Sequence, residues 1–395
     1  MITLKKKFSD LDRLVYNKKV LLRIDLNLPI YNGEVTDFTR MEKILPTINY
    51  LLKNHAKIII LSHFGRPDGK KDNDFSLKII NQKIADFLDE KVLFIEENIK
   101  TIKRDKIDKA LLSNKIILLE NLRFYPEEIN NDPIFSKKLA SFGDIYVNEC
   151  FSTSHRKHSS IVGIPKFLPS FPGTLLENEV STLKNLITID NETSSVAVFG
   201  GSKVSTKIKI LEFYLNKFNK VLIGGAMANT FIAAMDNIIG TSLYEKSMVK
   251  VAKDFLKNFS DKLVLPKDLI VEDKNKKISV KTRSDIKKDE KILDIGPQAR
   301  MEFYNCVMNC SHLLWNGPLG YYEKKPFDEG TNFVIKAIKN NKNKNFFSVA
   351  GGGDTISIVK QADASKHFSF ISTGGGAFLE FIQGHGLPGL DSLNE

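Results

Sequence analysis

The sequence predicts an α/β fold of two doubly wound, parallel-sheet lobes joined by an interlobe helix. Short apolar runs alternate with helical segments along most of the chain, and continuous apolar strands are typical of a parallel sheet covered on both faces. A length of 395 residues fits two domains of roughly 100–200 residues each. Pro165, Pro169 and Pro172 interrupt the first alternating series, and a second series begins at Val196.

The elements of the first series follow one another closely. The predicted helices cover 39–54 and 77–88, and the predicted strands cover 20–27, 58–62, 92–95, 116–120 and 145–148. Thr39 and Glu42 stand at the spacing of a capping box, which places Arg40 in the first turn of its helix.

The domain boundary is predicted near Pro172, where the first series ends. Residues 1–172 then form the first lobe and residues 173–372 the second, with a helix over 175–186 as the connector. The two halves share no obvious sequence repeat.

Glycine turns at the ends of predicted strands mark the second lobe. In the richest, an apolar run enters Gly351-Gly352-Gly353-Asp354-Thr355 and a helical segment. Four further apolar runs end in turns at Gly200-Gly201, Gly224-Gly225, Asn316-Gly317-Pro318 and Gly374-Gly375-Gly376. Glycine there lets backbone N–H groups approach an anion at a helix N-terminus. For one turn a plain strand–helix connection is an equal alternative, but the repetition predicts a nucleotide at the carboxyl edge of a parallel sheet.

Charged residues beside these turns suit a metal-bound polyphosphate. Asp354 is a candidate Mg²⁺ ligand, because Mg²⁺ is usually held by one or two carboxylates and phosphate oxygens. Lys203 and Lys207 are four residues apart, so on a helix both ammonium groups would face one polyphosphate. None of the turns fits the G-x-x-x-x-G-K-[ST] or G-x-G-x-x-G patterns of the common nucleotide-binding loops.

The first lobe carries a basic set instead of glycines. Its members lie at or just beyond the carboxyl ends of predicted strands, or at a helix start: Arg23, Arg40, His63, Arg66, Arg123, His155 and Arg156. Strand ends of a parallel sheet converge, and arginine binds carboxylate and phosphate in bidentate fashion, so the set predicts a site for a small, multiply anionic molecule. For any single arginine a surface ion pair is the alternative. Asp25 and Asn27 alternate with Arg23 along the strand, and serve either as partners of ligand hydroxyls or to orient the arginines.

Composition narrows the classes of protein. The net charge of +11 allows acidic partners, but the lysines are scattered, so we expect phosphorylated metabolites and no nucleic acid. Three cysteines fit a reducing compartment, and Cys306 and Cys310 lack the partners of a metal site. No apolar run approaches the roughly 18 residues of a membrane helix, and no signal core is present. We therefore expect a cytoplasmic protein without membrane contact.

The motifs, taken in order, resemble those of the phosphoglycerate kinase family almost from end to end. They are Arg23-Ile24-Asp25-Leu26-Asn27-Leu28-Pro29, Ser62-His63-Phe64-Gly65-Arg66-Pro67, Leu118-Leu119-Glu120-Asn121-Leu122-Arg123, Gly200-Gly201-Ser202-Lys203-Val204-Ser205-Thr206-Lys207, Leu293-Asp294-Ile295-Gly296-Pro297, Trp315-Asn316-Gly317-Pro318, Gly351-Gly352-Gly353-Asp354-Thr355 and Thr373-Gly374-Gly375-Gly376-Ala377. A series of this length in the right order is highly specific.

The resemblance implies two Rossmann-like lobes with an active-site cleft between them, and a segment 373–395 that packs back onto the first lobe. It implies reversible phosphoryl transfer from 1,3-bisphosphoglycerate to Mg-ADP in a monomeric enzyme whose lobes close on their ligands. The first lobe would bind the phosphoglycerate and the second the nucleotide.

The resemblance also assigns residues. The substrate positions are Asp25, Asn27, Arg40, His63, Arg66, Arg123 and Arg156, to which we add Arg23. The nucleotide positions are Gly200, Gly201, Lys203, Lys207, Gly224, Gly225, Asn316, Pro318, Glu323, Gly352, Gly353, Asp354 and Thr355. Arg40 and Lys203 are expected to neutralise charge on the transferring group, Glu323 to contact the ribose, and Asp354 to bind Mg²⁺.

Two departures and two rival classes accompany this assignment. Glu149-Cys150-Phe151 stands where the family usually has Asp-Ala-Phe, and the longer Glu149 side chain has the reach to shift the loop of Arg156. Asn178 replaces a lysine common in the interlobe helix. A dinucleotide-dependent oxidoreductase would share the βα units but lacks its fingerprint here. A non-catalytic phosphometabolite-binding protein would use the same two sites without turnover.

Overall fold

The computed structural model describes residues 4–189, 193–205 and 207–395, apart from the side chain of Lys209. Thr206, from the motif around Lys203, therefore lies outside the described residues. The chain divides into two compact units. The first runs to Lys184 and includes Gly376–Glu395, and the second is Asn185–Gly375.

The first unit is a parallel sheet flanked by helices. Its strands are β1 (Lys19–Arg23), β2 (Ile30–Tyr31), β3 (Glu34–Val35), β4 (Lys57–Leu61), β5 (Val92–Ile95), β6 (Ile116–Leu119), β7 (Ile145–Asn148) and β8 (Ser170–Pro172). Its helices are α1 (Thr39–Lys53), α2 (Lys78–Leu88), α3 (Arg104–Ser113), α4 (Pro126–Ile129), α5 (Pro133–Ala140) and α6 (Thr174–Ile187), whose last residues enter the second unit.

The sheet of the first unit has the order β5-β6-β4-β1-β7-β8, and every pair is parallel. In β1, Val20 pairs with Ile58 on one side and Ile145 on the other. Leu21 and Leu22 are fully buried although successive side chains point to opposite faces, because helices cover both faces. The chain adds strands first on the β4 side and then on the β7 side, so the carboxyl ends of β1 and β7 border a topological switch point.

The second unit repeats this plan. Its strands are β9 (Ser195–Phe199), β10 (Lys220–Ile223), β11 (Leu263–Val264), β12 (Asp268–Glu272), β13 (Ile278–Thr282), β14 (Lys291–Ile295), β15 (His312–Asn316), β16 (Phe347–Gly351) and β17 (Phe370–Ser372). Its helices are α7 (Ile208–Lys217), α8 (Gly225–Ala234), α9 (Val249–Asn258), α10 (Pro297–Met308), α11 (Glu329–Asn340) and α12 (Gly353–Gln361). The segment Gly376–Glu395, which belongs to the first unit, carries α13 (Gly376–Ile382) and α14 (Pro388–Asp391).

The main sheet of the second unit is parallel, with the order β11-β10-β9-β15-β16-β17. The order reverses between β9 and β15, which places the turns after Phe199 and Asn316 at a switch point. A separate antiparallel sheet, β13-β12-β14, packs through Leu269, Val271 and Ile292 against Ile232 of α8.

The predicted α/β class and the strand–turn–helix units are confirmed, with three local errors. Strand β1 ends at Arg23, not at residue 27, so Asp25 and Asn27 lie in a loop. The capping box was wrong, because Thr39 is already helical and its N–H bonds Asp37 Oδ1 at 2.9 Å. Helix α7 begins only at Ile208, so it does not include Lys203 and Lys207, which were expected on one helix face.

In the described part of the chain, no helix is both long and apolar enough to cross a membrane. The cysteines Cys150, Cys306 and Cys310 are free thiols.

Candidate active site

In the first unit, the loop after β1 places the Asp25 carboxylate among donors. Asp25 Oδ1 accepts from the Asn27 N–H at 2.9 Å, and Oδ2 accepts from Ser152 Oγ at 2.6 Å. Arg40 Nε lies 3.5 Å from Oδ2, and His63 Nε2 lies 4.0 Å from Oδ1. Burial opposes ionisation, but the guanidinium of Arg40, the adjacent imidazole of His63 and these hydrogen bonds lower the pKa of Asp25 to about 2. Asp25 therefore holds the donors in place as a carboxylate.

Arg23 lies beneath this cluster and is only 1% exposed. Its Nε donates to Ser160 Oγ at 3.0 Å, its Nη1 donates to the carbonyl of Ile24, and its Nη2 donates to His63 Nδ1 at 3.1 Å. The guanidinium is thus committed to the protein on all sides, and it supports the site from inside the fold.

Asn27 and Arg123 join the loops that follow β1, β4 and β6. Asn27 Oδ1 accepts from the Gly65 N–H at 2.9 Å, and Arg123 Nη1 donates to the Gly65 carbonyl at 2.8 Å. Burial lowers the pKa of Arg123, and the guanidiniums of Arg23 and Arg156 lower it further. The arginines are thus close enough to repel one another, as expected of a site built for an anion.

The remaining members of the basic set face solvent to different degrees. Arg66 and Arg156 are exposed, whereas Arg40 and Arg123 are half-buried. Burial and the charge of Arg156 lower the pKa of His155 to about 4, so its imidazole is neutral near pH 7. Neutral histidine among fixed guanidiniums leaves the anion site with a charge that changes little around neutral pH.

In the second unit, the glycine turns pack backbone to backbone at the switch point. The N–H groups of Gly200 and Gly201 donate to the carbonyls of Asn316 and Pro318 at 3.1 and 2.9 Å. A Cβ on Gly200 would lie 1.8 Å from the Pro318 carbonyl oxygen, so no other residue fits this approach. Gly225 has φ of +63° and donates to the Leu319 carbonyl at 2.7 Å. The turns therefore form one surface at the carboxyl edge of the sheet.

Lys207 lies under these turns. Its Nζ donates to the carbonyls of Gly200 at 2.7 Å and Asn316 at 3.1 Å. Burial lowers the pKa of Lys207 to about 8, and the carboxylate of Asp354 opposes this shift. The predicted sharing of one helix face by Lys203 and Lys207 was wrong, because Lys203 precedes α7. Lys203 is exposed, and its charge acts on Glu245.

The turn before α12 is tied to its neighbour by two predicted site residues. Thr355 Oγ1 accepts from the Gly317 N–H at 2.7 Å, and Asn316 Nδ2 donates to the Gly351 carbonyl at 3.0 Å. Gly352 has φ of +95° and precedes the first turn of α12, which contains the exposed Asp354. A bound polyphosphate would meet free N–H groups there.

A cavity of about 360 Å³ opens beside these turns, a volume within the usual range for small-molecule sites. Its lining includes the predicted residues Gly201, Gly225, Pro318, Glu323 and Asp354, together with Ser202, Ala226, Ala228, Leu243, Leu269, Lys291, Ile292, Leu293, Asp294, Ile295, Leu319, Gly320, Tyr321 and Tyr322. The cavity has an apolar wall from β14 and polar groups at the glycine turns, as a nucleotide requires.

Sequence reasoning missed the β14 wall and Asp294 within it. The Asp294 carboxylate accepts from the N–H groups of Ile295 and Gly330 at 2.8 Å each, and Arg300 Nη2 donates to it at 3.0 Å. Burial raises the pKa of Asp294 to about 7. Asp294 belongs to one of the family motifs, but the sequence pattern does not show whether a residue of a strand also lines a cavity.

Glu149 does not point towards the loop of Arg156, as its extra methylene had suggested. It turns instead to the start of α6, where Oε1 accepts from the Leu175 N–H at 3.0 Å and Oε2 from the Leu176 N–H at 3.1 Å. The hydroxyls of Thr47 and Thr174 also donate to Oε1. Glu149 therefore caps the helix that leaves the first unit.

Comparisons with known proteins give one consistent result. The chain matches the family model for phosphoglycerate kinase over residues 9–385. It is 41% identical over 390 residues to the phosphoglycerate kinase of Orientia tsutsugamushi (strain Ikeda), covering 97% of this chain and 96% of the relative. It is 41% identical over 397 residues to the phosphoglycerate kinase of Chelativorans sp. (strain BNC1), covering 98% and 99%.

Solved structures agree. The phosphoglycerate kinase of Coxiella burnetii superposes with a TM-score of 0.86 at 34% identity, covering 98% of each chain. That of Pyrococcus horikoshii OT3 superposes with a TM-score of 0.83 at 30% identity and the same coverage. The fold and these relatives thus define the class of protein, an α/β phosphotransferase. The chain belongs to the phosphoglycerate kinase family, and its role is in glycolysis.

Proposed function

We propose that the protein transfers a phosphoryl group reversibly between 1,3-bisphosphoglycerate and Mg-ADP, giving 3-phosphoglycerate and Mg-ATP. The observation that carries the proposal is the presence of two complementary sites in one chain. The first unit gathers arginines around Asp25, and the second has a cavity of about 360 Å³ beside three glycine turns. An anionic acceptor and a nucleotide require these two environments.

The first unit is proposed to bind phosphoglycerate at the basic set. Arg40, Arg66, Arg123 and Arg156 offer bidentate donors for carboxylate and phosphate groups. Asp25 positions Arg40, and Asn27 and Arg123 are held together through their hydrogen bonds to Gly65. Arg23 acts from beneath, because its guanidinium is already bonded to the protein.

The second unit is proposed to bind the nucleotide. The adenine and ribose would lie in the cavity against the surface formed by the turns of Gly200, Gly201, Gly224, Gly225, Asn316 and Pro318, and Glu323 lines the same cavity. The phosphates would meet Lys203, Lys207 and the N-terminus of α12 at Gly352–Thr355.

Mg²⁺ would be held by Asp354 together with nucleotide phosphate oxygens. The exposed carboxylate at the start of α12 fits this role, since Mg²⁺ needs few protein ligands when phosphates are present. Among the described residues no cluster of three or more His, Cys, Asp or Glu offers a protein-only metal site. When bound, the ion would neutralise phosphate charge.

In the direction of ATP use, a carboxylate oxygen of 3-phosphoglycerate attacks the γ-phosphorus. The new O–P bond forms as the bond between the γ-phosphorus and the bridging oxygen breaks, and that electron pair leaves with ADP. No protein nucleophile or proton transfer is needed, so the protein contributes alignment and charge stabilisation. Arg40 and Lys203 are proposed to neutralise the transferring group. Closure of the two units on each other would bring the ligands together and exclude water.

The protein is further proposed to be a monomer in the cytoplasm, with small molecules and not nucleic acid as its partners. Three free thiols are compatible with a reducing compartment. A size-exclusion measurement with light scattering would contradict the monomer if the mass exceeded that of one chain of 44.6 kDa.

The reaction is tested with purified protein, Mg-ATP and 3-phosphoglycerate. Formation of 1,3-bisphosphoglycerate is coupled to NADH oxidation by added glyceraldehyde-3-phosphate dehydrogenase. Turnover that needs both substrates and Mg²⁺ is expected. Binding of both ligands by folded protein without turnover would favour the non-catalytic binding protein, and binding of NAD in place of Mg-ADP would favour the oxidoreductase.

Arg40→Ala tests the proposed role of the arginines. We expect a loss of turnover of about 10³-fold or more, as for a positioned arginine in related phosphoryl transfers, with nucleotide affinity unchanged. Arg104→Ala is the matched control, because Arg104 lies on the surface and its ion pairs among the described residues are with Asp108 and Asp144. Turnover of Arg40→Ala within tenfold of the wild type would show that the assigned role is wrong.

A further inference from the structure

A buried hydrogen-bond chain runs behind the first-unit site and ends on His63. Glu128 Oε2 accepts from the Ser160 N–H at 2.9 Å, and Oε1 accepts from the Ser160 hydroxyl at 2.5 Å. Ser160 Oγ in turn accepts from Arg23 Nε at 3.0 Å. Glu128 and Arg23 are each 1% exposed and Ser160 is fully buried, so the chain is shielded from solvent.

Arginine has donors only, which fixes the direction of the last bond. Arg23 Nη2 lies 3.1 Å from His63 Nδ1 and carries hydrogens under all ordinary conditions. Nδ1 must therefore be the acceptor and carry no proton. This excludes both the imidazolium and the tautomer protonated on Nδ1, and leaves the neutral form with its proton on Nε2.

The surroundings of His63 favour the same form. The imidazole is 4% exposed, and burial lowers its pKa well below the ordinary value. The carboxylate of Asp25 opposes this shift, while the charges of Arg23, Arg123 and Arg40 add to it. The neutral ring therefore agrees with the geometry.

We propose that Glu128, Ser160 and Arg23 are positioning residues that hold His63 as a neutral imidazole protonated on Nε2. The Nε2–H is the donor that His63 offers to an oxygen of the anionic ligand. Its distance of 4.0 Å from Asp25 Oδ1 is too long for a hydrogen bond, so the donor is not spent on that carboxylate. The part of this inference that concerns the ligand rests on the proposed function.

The tautomer is measured directly, without turnover, by long-range ¹H–¹⁵N correlation on histidine-labelled, ligand-free protein at neutral pH. The chain has seven histidines, and the His63→Asn spectrum identifies the missing signals. An unprotonated Nδ1 and a protonated Nε2 are expected for His63. A proton on Nδ1, in either the neutral or the charged ring, would overturn the proposal.

Ser160→Ala breaks the chain at its centre, and Ser159→Ala is its matched control. Ser159 is equally buried, but its hydroxyl donates to the carbonyls of Glu127 and Asp132 and has no contact with Arg23. With Ser160→Ala, we expect His63 to lose its single-tautomer signature. The KM for 3-phosphoglycerate should rise about fivefold, the equivalent of one hydrogen bond, while the KM for ATP stays constant. Ser159→Ala should change none of these.

Glu128→Gln supplies a second test, because it removes the charge while nearly preserving shape. It should weaken the His63 signature in the same direction as Ser160→Ala. Suppose that Ser160→Ala and Glu128→Gln both keep the wild-type tautomer of His63 and have the same KM for 3-phosphoglycerate as Ser159→Ala. The hydrogen-bond chain then has only a structural role, and the proposal fails. If wild-type protein shows no turnover but His63 has the expected tautomer, the proposed function fails and the positioning of His63 stands.

Discussion

The carboxyl group of Glu149, which caps the start of α6, makes the stability of the first unit depend on pH. Burial raises the pKa of its carboxyl from the ordinary 4.5 to about 7, although hydrogen bonds from Thr47, Leu175, Leu176 and Thr174 favour the carboxylate. Between pH 4.5 and 7 the folded state therefore holds a proton that the unfolded state releases. The contribution of Glu149 to stability is largest below pH 4.5 and is lost as the pH rises through about 7.

The size of the effect follows from the two pKa values. At about 1.4 kcal/mol for each pH unit, the interval from 4.5 to about 7 corresponds to about 3 kcal/mol. Glu149→Gln is close in shape and cannot titrate. The difference in free energy of unfolding between wild type and Glu149→Gln should therefore shift against the wild type by about 3 kcal/mol between pH 4.5 and 8.

The measurement must report on the first unit. Trp315, the only tryptophan, lies in β15 of the second unit, so its fluorescence is unsuitable. Urea unfolding can be followed instead by hydrogen exchange of peptides from β1 and β4. Glu96→Gln, which removes the same charge from an exposed site, is the control, and its difference in stability from the wild type should stay nearly constant over this pH range. Parallel pH curves for wild type and Glu149→Gln would refute the reasoning.

Three further predictions concern the second unit. Burial lowers the pKa of Lys207 to about 8, so ADP affinity should fall as the pH rises through 8, and titration calorimetry should find no such fall in Lys207→Gln. The raised pKa of Asp294, about 7, predicts that the free energy of unfolding of the second unit falls as the pH rises from 4 to 7. Urea unfolding followed by Trp315 fluorescence should show a flatter pH dependence of this free energy in Asp294→Asn. Gly200→Ala forces a Cβ to within 1.8 Å of a carbonyl oxygen and should cost about 1–3 kcal/mol of stability. The methyl of Gly353→Ala, the control, meets nothing within 4 Å and should cost little. Equal thermal unfolding midpoints for the two variants would contradict this prediction.

Much of the fold follows from local sequence pattern. The strands at 92–95 and 145–148 were predicted with their observed limits, because each is a short, mainly apolar run between charged residues. The glycine turns were also predictable, since close backbone contact such as that between Gly200 and Pro318 excludes side chains. The assigned ligand contacts of the site residues remain predictions.

Other features depend on contacts that local pattern does not contain. Helix α7 begins after Lys203 and Lys207, which their spacing had placed on one helix face, and Lys207 reaches back to the carbonyls of Gly200 and Asn316. The cavity wall from β14 comes from a separate antiparallel sheet, which no glycine or charge pattern marks.

By itself the sequence determined the α/β class, the order of its strands and turns, and the family through its motifs. Only the tertiary structure decided that Arg23 is buried beneath His63 and that Glu149 caps α6. The physical reason is that an arginine or glutamate has the same local pattern in either role. What separates the roles is burial and the identity of partners that stand 25 to 137 residues away in the chain.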